Sequence, residues 1–141
     1  MRALFRRTAP RVRLLAQRRV HMGDRLEVEW SLDSPVASIE RVSLMLVGSE
    51  IARRRISART GISVISEERV FFGTTFVHVV SGGGGGRAAG GRASVVVPAR
   101  TVPSLAGSYN EIAWAITVEG VLRRAPSLSE RYPIVVLPGE P

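Results

Sequence analysis

Hydrophobic and polar residues alternate with a period of two along most of this chain, and nowhere with a convincing period near 3.6. Leu26, Val28, Trp30 and Leu32 interleave with Arg25, Glu27, Glu29 and Ser31, the pattern of a strand with one dry face. Ile112, Trp114, Ile116 and Val118 interleave with Glu111, Ala113, Ala115, Thr117 and Glu119 in the same way. Shorter runs repeat it: Val12, Leu14, Ala16; Val42, Leu44, Leu46; Ala93, Val95, Val97; Tyr132, Ile134, Val136. Val70–Val80 is rich in β-branched and aromatic residues throughout. Between these runs lie breakers: Met22-Gly23-Asp24, Asp33-Ser34-Pro35, Gly48, Gly82–Gly86 with Gly90-Gly91, Pro103–Tyr109 and Ala125-Pro126-Ser127. Glu50–Arg59 has weak helical character, opposed by Ile56 and Thr60. The expectation is an all-β fold, a two-sheet antiparallel sandwich of the immunoglobulin-like kind. It should hold about seven to nine short strands.

Length sets the organisation. The 141 residues, 45% of them hydrophobic, suffice for one domain with a real core. The sandwich is placed at residues 11–138, with a flexible glycine-rich loop at 81–91. A basic tail precedes it at 1–10 and a short tail follows at 139–141. The chain has no cysteine, which excludes disulfides, thiol catalysis and cysteine-ligated metal, and fits a reducing, cytoplasmic setting. No apolar run has the length of a membrane-spanning helix.

Charge adds a localised feature. Residues 1–20 carry seven arginines and no acid, whereas the rest carries 13 arginines against 12 acids. All 20 basic residues are arginine, a bias that a GC-rich genome explains. Two clusters are dense enough to bind anions: Arg2, Arg6, Arg7, Arg11, Arg13, Arg18 and Arg19, and then Arg53, Arg54 and Arg55 with Arg59 nearby. Arginine pairs bidentately with carboxylate and phosphate, so an acidic protein or an anionic membrane surface is a candidate partner. Nucleic acid ranks lower, because Phe5 is the only ring near the first cluster and stacking needs several.

Catalytic and metal constellations are absent from the sequence pattern. Gly82–Gly86 lacks the lysine and the following helix of a phosphate loop. His21 and His78 are the only histidines, too few for a zinc site without clustered acids. No Gly-x-Ser-x-Gly elbow is present. Glu27 with Glu29, and Glu67 with Glu68, read as solvated positions. No catalytic residue, metal ligand, cofactor or small-molecule substrate is expected. A concavity gathering His78, a carboxylate and a serine would argue for an enzyme, and none is expected. Trp30 and Trp114 are placed in the core.

Several stretches resemble the arrestin-like sandwich in its bacterial single-domain or half-domain form. They are Arg19–Trp30 with its Gly23-Asp24 turn, and Ile39–Glu50 ending in Gly48-Ser49-Glu50. The strongest is the succession Val97-Pro98-Ala99, Pro103–Gly107, Asn110–Val118 and Tyr132-Pro133-Ile134-Val135-Val136. The resemblance covers about two thirds of the chain and implies a non-enzymatic scaffold or adaptor that binds protein, acting in assemblies or at the membrane periphery. An exposed sheet edge in such a fold can accept a strand, so self-association by that route is a secondary expectation. The alternative is an electrostatic tether, in which the Arg-rich N-terminus binds anionic membrane or nucleic acid.

Overall fold

The computed structural model describes residues 11–33, 39–80, 90–122 and 127–139. They form nine strands and no helix: β1 (Arg11–Ala16), β2 (Arg19–His21), β3 (Arg25–Asp33), β4 (Ile39–Ala58), β5 (Gly61–Val80), β6 (Gly90–Val96), β7 (Leu105–Ala106), β8 (Asn110–Leu122) and β9 (Leu128–Leu137). One sheet has the order β1-β3-β6. The other runs β2-β9-β8-β4-β5, with β7 paired to β8. Every pairing is antiparallel except β2 with β9, which is parallel.

The alternating residues make the core between the sheets. Val12, Leu26, Val28, Trp30 and Val95 come from the first sheet. Val42, Leu44, Leu46, Trp114, Ile116, Val118, Ile134 and Val136 come from the second, and all are buried. Burial of side chains this size contributes roughly 1.5–3 kcal/mol each. Backbone chemistry closes the ends. Gly23, at φ 85°, takes the left-handed conformation that a side chain resists, and its turn bonds to both sheets through Gly23 N to Val97 O (2.9 Å) and Met22 N to Leu137 O (2.9 Å). The Tyr132 hydroxyl on β9 reaches the Val12 carbonyl on β1 and the Glu130 carboxylate, tying sheet to sheet. The segment after β6 crosses to the second sheet, where Ser104 N donates to Val136 O (2.8 Å) and Val136 N donates to Ser104 Oγ (2.8 Å).

Two expectations need correction. Gly48 does not end a strand, and Glu50–Arg59 has no helical turn: β4 continues through both to Ala58, so β4 and β5 are 20 residues each rather than short. The reason is packing. A Cβ at Gly48 would lie 2.8 Å from Phe71 Cζ and 3.1 Å from Trp114 Cη2, so the glycine makes room for two rings instead of a turn. The stretch Pro103–Tyr109 contains a short strand, β7. The glycine-rich loop lies outside the described residues, except Gly90 and Gly91, which open β6.

Candidate interaction surface

β4 pairs with β8 only as far as Ala52 opposite Asn110. Beyond that point β4 and β5 pair with each other alone, Arg53 opposite Ser66 through Ala58 opposite Gly61. The result is a two-stranded arm, turning at Arg59-Thr60, that projects about 20 Å past the sheet at the usual rise per residue. Nearly every residue from Arg54 to Val70 is exposed. A lone two-stranded ribbon is marginal in water, so its attachment matters. Arg53 supplies one tie, with its N–H donating to Tyr109 O (2.8 Å) and its guanidinium to Glu111 (2.8 Å).

Arg131 supplies another. It lies on β9, in the row of Met45, whereas Glu68 lies on β5 opposite Ile51. Three strands across and six residues along, a flat sheet would hold them about 25 Å apart. They meet at 3.0 Å. The sheet must therefore coil strongly, by its natural twist and by the two bulges of β5, at Phe71 and Phe76. Coiling also explains why Ser49 and Ala115, on the outward face, are 0% and 1% exposed.

The Arg131 guanidinium holds the Glu68 carboxyl below its ordinary value of 4.5, with the Ser49 hydroxyl adding to the effect. A lowered carboxylate pKa contributes stability that is present above the unfolded-state value and lost as pH falls through the folded one. Glu68→Gln is therefore expected to loosen the arm at neutral pH, by within roughly 1 kcal/mol for so exposed a pair. The difference from wild type should shrink as pH falls below 4.5 and vanish in acid, where the Glu68 carboxyl is protonated in the folded state too. Amide exchange of residues 53–69 at neutral and at acid pH checks it, and a difference that persists in acid would contradict the role given to the pair.

The arm alternates cation and aliphatic. Arg54 sits opposite Ile65 and Arg55 opposite Val64, so arginine stems flank β-branched side chains. Ile56, Ile62, Val64 and Ile65 are between 40% and 68% exposed, unusual for isoleucine and valine so close together. Residues 51–70 hold five arginines and two glutamates.

The predicted arginines do not form one site. Arg2, Arg6 and Arg7 lie outside the described residues. Arg11 and Arg13 belong to β1, at the end of the sandwich where β3 finishes, which is opposite the arm. Arg18 and Arg19, both exposed, mark the crossing between β1 and β2, and Arg18 O accepts from Val135 N (2.7 Å). On the arm, Arg53 is committed to Glu111, and Arg54 approaches Glu67 at 3.7 Å. Among the described residues Arg55 and Arg59 have no acidic partner.

One concavity, about 390 Å³, is lined by Ser43, His78, Glu119, Arg41 and Ser129 among others. This gathering of a serine, a histidine and a carboxylate was not expected. Ser43 Oγ lies 2.9 Å from His78 Nδ1. The order across the strands is His78, Ser43, Glu119, so the serine stands between histidine and acid. A hydrolytic triad needs the histidine in the middle, with the acid on its second nitrogen. The backbone of β4 at Ser43 is engaged in the sheet ladder on both sides. Among the described residues no three His, Asp or Glu come together to hold a metal, and no helix is long and apolar enough to cross a membrane.

β1 and β2 pair into different sheets, and the segment after β6 crosses from the first sheet to the second. The fold is an arrestin-like β-sandwich. The sporulation control protein Spo0M from Bacillus subtilis is similar in structure, with a TM-score of 0.56 at 12% identity, over 92% of this chain and 49% of that one. The arrestin-like domain described here thus spans about half the length of that protein. No protein-family model and no curated protein matches the sequence.

Proposed function

We propose that this arrestin-like domain is a non-enzymatic protein-binding module and that the β4–β5 arm is its contact element. The observation that carries this is the exposure of Ile56, Ile62, Val64 and Ile65 on a ribbon studded with arginine. The register sets Ile62 and Val64 on one face of the ribbon with Arg55, and Ile56 and Ile65 on the other with Arg54, and an aliphatic pair flanked by a guanidinium suits a partner surface that is acidic at its rim and apolar at its centre. Arg55 and Arg59 would meet the partner's carboxylates.

Capture from the lysate of the native cell tests the reading. Ile62→Asp with Val64→Asp is expected to abolish recovery of the protein partner at every salt concentration, while the melting temperature stays within about 2 °C, since both sites are surface positions. Arg55→Glu with Arg59→Glu is expected to reduce recovery most at low salt. Full recovery by both variants would refute the arm as contact element. The competing tether is the Arg-rich N-terminus through Arg19, of which only residues 1–10 can be removed without cutting into the sandwich, since Arg11–Ala16 is one of its strands. A chain beginning at residue 11 should capture the partner as well as the full chain does.

A further inference from the structure

We infer that β5 pairs with β5 of a second copy of this chain, antiparallel, with the two-fold axis passing beside Glu68. This deepens the proposed function, resting on the same arm but naming a second partner for a different stretch of it. β5 is the last strand of its sheet, and among the described residues no strand pairs with its outer edge. Natural sheets protect such edges with bulges, prolines or charges. The bulges at Phe71 and Phe76 protect the part of β5 lying along the body. From Gly61 to Val70 there is no bulge and no proline.

The charges in that stretch are arranged to select a partner rather than to repel every one. In a symmetric antiparallel pair, each residue faces its mirror about the central position, and the centre faces itself. With the centre at Glu68, Glu67 faces Arg69 of the copy and Arg69 faces Glu67 of the copy. Within one chain Arg69 already stands opposite Glu50, so the row alternates in sign across the junction. Ser66, opposite Arg53 within its own chain, faces the uncharged Val70 of the copy. The two Glu68 side chains face one another, and each is already neutralised by its own Arg131 at 3.0 Å. No other centre between residues 62 and 70 sets both Glu67 and Arg69 against opposite charges. The paired segment, Ser66–Val70, is short, which makes the dimer weak and concentration-dependent.

Sedimentation equilibrium of the full chain tests this. Wild type is expected to dimerise with rising concentration. Glu67→Arg and Arg69→Glu should each weaken dimerisation about tenfold, because each reversal acts twice by symmetry. The double variant should restore it. Because the chain has no cysteine, a single introduced thiol reports the register. Glu68→Cys should form a disulfide-linked dimer under mild oxidation, since directly opposed Cα atoms lie within disulfide range. Ser66→Cys, about 13 Å from its counterpart, should not. A chain that stays monomeric, a double variant no better than the singles, or equal cross-linking at both positions would overturn the pairing. Circular dichroism confirms that each variant is folded. A monomeric wild type that still captured its acidic partner would overturn this inference and leave the proposed function standing.

Discussion

Replacing Trp114 with alanine is expected to lower stability by about 3–5 kcal/mol, more than any other single truncation in the core. The indole is 1% exposed. It packs edge-on against Phe71, ring centroids 5.4 Å apart, and tilted against Phe72 at 5.6 Å. Its Nε1 donates to the Val102 carbonyl at 2.9 Å, which anchors the crossing segment to the second sheet. Alanine would leave a large cavity at the root of the arm and an unpaired carbonyl beside it. For a domain of this size the melting temperature should fall by roughly 10–15 °C. Trp114→Phe should recover most of the packing and none of the hydrogen bond, giving an intermediate loss. A thermal melt of the two variants decides it, and a fall of a degree or two for alanine would show that the rings do not form the packed unit described.

Gly48→Val is expected to destabilise the domain, although it adds atoms. Gly48 has no unusual φ among the glycines, so backbone strain plays no part. The obstacle is the 2.8 Å and 3.1 Å approach to Phe71 and Trp114. Valine there forces at least one ring from its rotamer, at about 1–3 kcal/mol. Phe71 is the ring that can give way, being only partly buried. Phe71→Leu should therefore relieve the valine variant, so the double variant should be more stable than the two separate losses predict. Strict additivity in a denaturant melt would contradict the steric cause.

The body of the sandwich was legible because period-two alternation is a direct record of which face is dry. Leu26, Val28 and Trp30, Val42, Leu44 and Leu46, and Trp114, Ile116 and Val118 all lie buried as that alternation requires. The arm was not legible, for two physical reasons. Gly48 looks like a strand end, but its lack of a side chain answers to ring packing. The bulges at Phe71 and Phe76 reset the alternation within β5, so that Phe71 and Phe72 both pack against the core and no single period runs from Gly61 to Val80. Of the candidate arginines, composition pointed to Arg53, Arg54 and Arg55. It could not separate the two already matched by Glu111 and Glu67 from the one that has no acidic partner among the described residues. The aliphatic half of the surface, Ile56, Ile62, Val64 and Ile65, was missed, because sequence alone places such residues in a core. Their spacing on either side of Arg59-Thr60, with β-branched residues on both limbs, was the signal available.

Excising the tip of the arm tests the central claim most directly. Arg54 and Ile65 are cross-strand partners, so residues 55–64 can be replaced by Asn-Gly, a two-residue turn that suits a hairpin, without moving the register below. The expected result is a chain that melts within about 2 °C of wild type, since no core residue is removed, and that captures no protein partner. Undiminished capture by this shortened, fully folded chain would place the binding surface on the sandwich itself and contradict the account.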